Sequence, residues 1–200
     1  HQLLERPIHV ISANMHSVMN SIFATTVLKT KFKDKSDFFI YEELSKSGAY
    51  EVRDKVAEFA KQHGMISVLD HSGTNIDVQI FDTAKIEWSK SSFPTAKTKD
   101  KKPVLIVMDY AFGEQAYETI DELLKPYKKD IFLNVESVSI MGKAGILQGG
   151  KGDIRIPTAH INEGTADNYF FNNELKGEMF QDGGIPVFEG PMVTVLGTSL

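Results

Sequence analysis

Residues 103–145, PVLIVMDYAFGEQAYETIDELLKPYKKDIFLNVESVSIMGKAG, decide the fold class. The run PVLIVMD is continuously apolar up to its aspartate, as in a strand that is buried on both faces of a sheet. FGEQAYETIDELLKP has apolar residues at helical spacing and stops at Pro126. VESVSIMG predicts a second strand that leads into glycine-rich sequence. The order strand, helix, strand is typical of an α/β protein.

The sequence after this stretch predicts further strands. DIRIPTAHI (153–161) reads as one strand, and IPVFEG (185–190) and MVTVLG (192–197) read as two short ones. NEGTADNYFFNNEL (162–175) predicts a polar and aromatic loop. We therefore expect a mixed, mostly parallel sheet flanked by helices in the second half of the chain.

The first hundred residues predict a small α/β unit of their own. IHVIS (8–12) reads as a strand, and the helix after it begins at Asn14 as N-cap. AYEVRDKVAEFAKQHG (49–64) is an amphipathic helix that ends in glycine. MISVLD (65–70) predicts a buried strand, whereas DFFIYEEL (37–44) fits either a strand or a short helix.

The domain organisation follows from a polar stretch in mid-chain. Residues 89–102, SKSSFPTAKTKDKK, are rich in lysine and contain a proline, which is the composition of a linker. The sequence thus predicts an α/β unit over 1–88, a linker over 89–102 and a second domain over 103–200.

Composition excludes several classes of protein. The chain is 42% hydrophobic and 24% charged, as is usual for a soluble globular protein. It has no cysteine, so disulfides and thiolate chemistry are excluded. Its 27 acidic residues exceed its 22 basic ones, and the excess falls in residues 101–200, which disfavours nucleic-acid binding. No apolar run approaches the roughly 18 residues of a membrane span, and we expect a cytoplasmic protein.

Two local patterns imitate catalytic motifs. Gly145 and Gly150-Lys151 have the spacing of a nucleoside-triphosphate loop, but Gly152 replaces the required hydroxyl residue and a strand follows instead of a helix. Asp70-His71-Ser72 places an acid, a base and a nucleophile side by side. Because working triads are assembled in space from separate segments, a turn at the end of a strand is the better interpretation.

Two other segments are candidate binding sites. Met141-Gly142-Lys143 follows a strand, where glycine lets backbone amides approach a ligand, although a tight turn has the same requirement. Glu163, Thr165, Asp167 and Tyr169 combine carboxylates, a hydroxyl and an aromatic ring. That set suits a hydroxylated aromatic ligand, and an Asx-rich surface loop is the alternative.

Three of these segments, in this order, resemble the nucleoside phosphorylase superfamily, which includes the nucleosidases. The segments are GKAGIL (142–147), GDIRIPT (152–158) and EGTADNY (163–169). The last is similar to the EGTSDDY-type segment of bacterial AMP nucleosidases. The resemblance covers about residues 103–200, and residues 1–100 have no counterpart in it.

The resemblance implies cleavage of the N-glycosidic bond of a purine nucleoside or nucleotide. It places Gly142 and Lys143 against phosphate, and Glu163, Thr165, Asp167 and Tyr169 against the nucleoside. The implied partner is this small molecule, with inorganic phosphate or water as co-substrate, no metal and no other cofactor. No nucleic-acid or membrane partner is expected, and we expect a homo-oligomer.

The chain departs from the superfamily pattern at several positions. Ile140 and Lys143 stand where phosphorylases often have an arginine and a Ser or Thr, and Asp109 lies where an anion would bind. The ribose-binding Met-Glu motif and the catalytic acid lie further along than Leu200, so no catalytic residue is assigned and we expect a fragment of a longer protein. The alternative function is a non-catalytic nucleotide sensor or an oligomerisation domain.

Overall fold

The computed structural model describes residues 3–93, 102–111, 113–165 and 167–195, without the side chains of residues 181 and 182. The chain divides into two compact units, His1–Lys143 and Ala144–Leu200. Each unit has its own sheet, with five strands in the first unit and three in the second.

The described residues of the first unit form four α-helices and five strands. In chain order they are β1 (Ile8–Ser12), α1 (Met15–Leu28), α2 (Asp37–Ser45), α3 (Tyr50–Gln62), β2 (Met65–Val68), β3 (Val78–Asp82), β4 (Val104–Met108), α4 (Gly113–Leu124) and β5 (Val135–Ile140). A short 3-10 helix, Trp88–Lys90, precedes β4. The α/β class predicted from the sequence is confirmed.

The five-stranded sheet is mixed, with strand order β2-β3-β4-β1-β5. β1 runs parallel to both β4 and β5. The pairs β2–β3 and β3–β4 are antiparallel, so the sheet is less parallel than expected. Antiparallel neighbours need no crossover helix, and the loop over residues 69–77 joins β2 directly to β3.

Helices cover both faces of this sheet. Met19, Ile22 and Phe23 of α1 pack with Val107 in one apolar cluster, which also includes residues of α2 and α3. Ile120 of α4 packs in a second cluster, which includes Val10 of β1 and Met108, the residue next to Val107 in β4. Because successive side chains of a strand point to opposite faces, α1–α3 lie on one face and α4 on the other.

The compact units differ from the predicted division at residues 89–102. β4 lies between β3 and β1, so the segments on both sides of the predicted linker share one sheet. The start of that segment is also packed: the amide of Ser92 donates to the carbonyl of Ile22 at 2.8 Å, and its hydroxyl lies 2.7 Å from that of Thr25. The remainder, residues 94–101, lies outside the described residues.

Two local assignments are settled or corrected by the structure. DFFIYEEL is helical, because Ser36 caps it by accepting a hydrogen bond from the amide of Phe39 at 3.2 Å and because Ile40 and Leu44, four residues apart, are buried together. β2 was expected to be buried, but only its first residue, Met65, is buried. β2 is an edge strand, which leaves its other side chains exposed.

The second unit is a three-stranded sheet with order β7-β6-β8. Its strands are β6 (Ile154–Asn162), β7 (Asn168–Phe170) and β8 (Val187–Thr194), and a 3-10 helix covers Gly177–Gly183. β8 replaces the two short strands that were predicted, and residues 196–197 lie outside the described residues. The strand continues through Pro191 because β8 is at an edge and its pairing with β6 shifts there.

Candidate ligand site at the carboxyl edge of the sheet

The parallel strands of the first unit end together at one edge of the sheet. Ser12 of β1 is in register with Met108 of β4 and Ile140 of β5. The strand ends are held by backbone hydrogen bonds, from Ala13 to the Met108 carbonyl at 3.0 Å and from Met141 to the Ser12 carbonyl at 2.9 Å. The segments that follow these three strands therefore lie side by side.

This edge contains a topological switch point between β1 and β4. The two strands are adjacent and parallel, yet the chain leaves β1 for a helix on one face and β4 for a helix on the other. Connections that depart to opposite faces open a crevice at the carboxyl ends of the strands, and open α/β sheets bind ligands there. The topology alone thus marks this edge as the candidate site.

Asn14 and Asp109 border the crevice. The side-chain oxygen of Asn14 accepts from the amide of His16 at 3.0 Å, which confirms Asn14 as the N-cap of α1. The carboxylate of Asp109 accepts from the amide of Tyr110 at 2.8 Å, and the amide of Asp109 donates to the Asp77 carbonyl at 3.1 Å. The β4 side of the edge therefore presents the Asp109 carboxylate, which suits hydroxyl or amine groups of a ligand better than an anion.

Gly142 and Lys143 follow β5 at the same edge, and both are exposed. Gly142 does not have a positive φ, and a Cβ placed on it would meet nothing within 4 Å. Neither backbone conformation nor packing therefore requires glycine here. This result disfavours the tight-turn interpretation and leaves an accessible backbone next to a lysine.

An apolar groove of about 310 Å³ adjoins Met141. Ser17 and Ser21 of α1 line one side of it, and Trp88 and Leu105 contribute apolar surface. The volume is at the lower end of the range for small-molecule pockets. The sequence did not indicate this groove, because its walls come from four separate segments whose proximity depends on the sheet order.

The other predicted site residues lie in the second unit, around the turn between β6 and β7. The side chain of Asn162 accepts from the amide of Gly164 at 3.0 Å, and the amide of Thr165 donates to the Asn162 carbonyl at 3.2 Å. The Thr165 hydroxyl accepts from the amide of Asp167 at 3.4 Å. Glu163, Thr165 and Asp167 are thus gathered in one exposed turn, and Asn162 shapes it.

Tyr169 lies on β7 directly opposite His160 of β6. The His160 ring stacks on Phe171, with ring centroids 5.0 Å apart and an interplanar angle of 14°. Tyr169 is 62% exposed. Tyr169 and Phe171 are two residues apart and share a face with His160, so the second unit presents a surface on which a planar ring can stack. The run of three consecutive aromatic residues, Tyr169–Phe171, was the available signal for Phe171.

Local hydrogen bonds account for the two segments that resemble catalytic motifs, residues 145–151 and 70–72. The amide of Gly150 donates to the Asp153 carboxylate at 2.6 Å, so the chain itself occupies a donor that a phosphate would need. Asp70 accepts from the hydroxyl and amide of Ser72 and from the amides of Gly73 and Asn75. These hydrogen bonds lower the pKa of Asp70, and the segment is a turn, as predicted.

The fold and the edge site define an α/β protein with a mixed sheet and a crevice at its parallel strand ends. Residues 28–200 match the family described as "Family of unknown function (DUF6909)", and the chain belongs to that family. No curated protein and no solved structure matches the chain. Among the described residues, no helix has the length and apolar character needed to cross a membrane, and no group of three or more acidic or histidine side chains is arranged to hold a metal ion.

Proposed function

We propose that the protein binds a purine nucleoside or nucleotide and cleaves its N-glycosidic bond, as a nucleosidase or a phosphorylase. The observation that carries the proposal is the position of the glycine segment. Gly142 and Lys143 begin the first of the three superfamily-like segments, and they follow a parallel strand at the edge where α/β sheets bind ligands. The GDIRIPT and EGTADNY segments follow in the same order as in the superfamily.

The chemistry of the proposed reaction assigns a task to each set of residues. Breaking the bond gives the ribosyl group oxocarbenium character, and phosphate or water captures it. Lys143 supplies a point charge to a phosphate or phosphoryl group. The superfamily resemblance implies that Glu163, Thr165, Asp167 and Tyr169 contact the nucleoside, and within the second unit these residues offer acceptors, a hydroxyl and an exposed ring. Nucleotides of the cytoplasm are the expected substrates.

Non-catalytic nucleotide binding is the second candidate function. It is favoured by Ile140 and Lys143, which replace the arginine and the hydroxyl residue that superfamily phosphorylases often have near the glycine segment. Ile140 is 78% exposed, and its aliphatic side chain carries no charge for an anion at this edge. Under this proposal the protein holds a nucleotide as a sensor and releases no base.

The test is release of free base, measured by chromatography. The protein, with any residues that follow Leu200 in its natural form, is incubated with AMP, adenosine and inosine, each with and without phosphate. Base release supports catalysis, and its dependence on phosphate separates a phosphorylase from a nucleosidase. Titration calorimetry with the same compounds is run in parallel. Binding without release supports a sensor, and neither binding nor release contradicts both proposals.

A matched pair of lysine variants tests the site. Lys143→Gln removes the charge beside Gly142, whereas Lys151→Gln removes another exposed charge from a different glycine-rich segment. We expect Lys143→Gln to weaken AMP binding and to leave adenosine binding nearly unchanged, because only AMP has a phosphoryl group. Equal effects of the two variants on AMP would contradict the placement of the anion at Lys143.

A further inference from the structure

The outer edge of β2 has unpaired backbone groups. In the five-stranded sheet β2 has β3 as its only described neighbour. The amide of Asp82 donates to the Gly64 carbonyl, and Met65 is opposite Phe81. Because hydrogen-bonded residues alternate along an antiparallel pair, the backbone groups of Met65, Ser67 and Leu69 point away from β3, toward the free edge.

This edge lacks the usual protection against pairing. Residues 65–69, MISVL, contain no charge and no proline. Ile66, Val68 and Leu69 are 45%, 46% and 62% exposed. In natural edge strands a lysine, a proline or an inward-pointing charge normally prevents pairing with another chain. An exposed apolar edge strand that lacks these residues is suited to such pairing. The opposite edge strand, β5, has Glu136.

We propose that β2 pairs antiparallel with β2 of a second copy of this chain, with the two-fold axis at Ser67. In this register Ser67 faces Ser67, and Met65 faces Leu69. Ile66 faces Val68 in the closer, non-hydrogen-bonded position. The segment is therefore its own complement: the exposed Ile66 and Val68 meet each other, no charge is buried, and the outward backbone groups of Ser67 in both copies are satisfied.

The self-complementary pattern favours a second copy over a strand from another protein. An isologous interface requires only one surface, which appears on both partners, and this surface is complete in residues 65–69. The pairing joins two five-stranded sheets into one continuous sheet across the dimer. It leaves the carboxyl edge of the parallel strands free, so the proposal is independent of the nucleoside site.

Charge at position 67 is the first test, read by sedimentation velocity over a range of concentrations. Ser67→Lys places two lysines opposite each other, and like charges directly opposite across strands destabilise pairing. We expect the dimer dissociation constant to rise by up to about fivefold. Ser67→Glu has the same effect, and an equimolar mixture of the two variants restores the dimer. Recovery on mixing also shows that each variant is folded.

Cysteine cross-linking gives a second and more local measurement. The chain has no cysteine, so Ser67→Cys introduces a single thiol. Hydrogen-bonded residues of an antiparallel pair have Cα atoms about 5.5 Å apart, within the range for a disulfide. We expect oxidation to yield a covalent dimer from Ser67→Cys and little from Ser139→Cys, an exposed position on β5. A wild-type monomer at all concentrations, or a dimer that tolerates Ser67→Lys and does not cross-link, would overturn the proposal.

Discussion

Phe81 and Phe38 provide a matched pair of substitutions that tests where the core of the first unit lies. Phe81 of β3 is fully buried and packs in the cluster beneath α1–α3. Phe38 of α2 is 77% exposed. Removing a buried phenylalanine ring costs about 3–5 kcal/mol, through lost burial and the cavity that remains. An exposed substitution outside special features usually stays within about 0.5 kcal/mol.

The measurement is urea unfolding followed by far-ultraviolet circular dichroism. With a slope of about 2 kcal/mol per molar urea, Phe81→Ala lowers the midpoint by about 2 M, and Phe38→Ala by about 0.25 M or less. Since whole domains are stable by only about 5–15 kcal/mol, Phe81→Leu serves as a milder variant with an intermediate shift. Equal midpoints for the two alanine variants would refute this assignment of the core.

Other predictions concern turns and caps. Asp70→Asn reduces the loss of unfolding free energy that the protein shows at acid pH. Because the pKa of Asp70 is lowered in the folded state, its carboxylate stabilises the fold above the ordinary Asp pKa of about 4, and this stabilisation is lost as the pH falls below that value. Urea midpoints at neutral and acid pH measure the difference. Gly64→Ala destabilises the protein more than Gly48→Ala. Both glycines have a positive φ, but of the two only Gly64 would bring a new Cβ to 3.0 Å from other atoms of the chain. A lower melting temperature for Gly48→Ala than for Gly64→Ala would contradict this prediction. Ser36→Ala costs about 1 kcal/mol of stability because α2 loses its N-cap, and an unchanged urea midpoint would contradict the cap.

Much of the fold was predictable because hydrophobic periodicity is a local property. The apolar run of β4 and the helical spacing of α3 and α4 all correspond to elements of the structure. The exposure of β2 was not predictable, because an apolar strand reads the same in the centre of a sheet and at its edge. Position in the sheet depends on which distant segments pair.

The predicted linker shows the same limit of local sequence patterns. A polar, lysine-rich stretch indicates exposure to solvent, but it does not say whether the strands on either side belong to one sheet. β4 pairs with β1 and β3, which precede that stretch. The candidate site was predictable to the same extent: Gly142 and Lys143 could be found from their place after a strand, whereas the groove beside Met141 required the sheet order.

The carboxyl edge of the sheet also suggests an orientation for the ligand. β1 separates β4 from β5, and strands lie about 4.8 Å apart, so Asp109 and Gly142 follow strands about 10 Å apart. The Asp109 carboxylate lies at the end of β4, and Lys143 follows β5. A ligand that spans the end of β1 therefore meets a carboxylate at one end and a positive charge at the other. We expect an uncharged end of the ligand that carries a hydroxyl or amine toward Asp109 and its anionic end toward Lys143, so that a phosphoryl group strengthens binding through Lys143 and Asp109→Asn affects AMP and adenosine alike. Loss of AMP binding alone in Asp109→Asn would reverse this orientation.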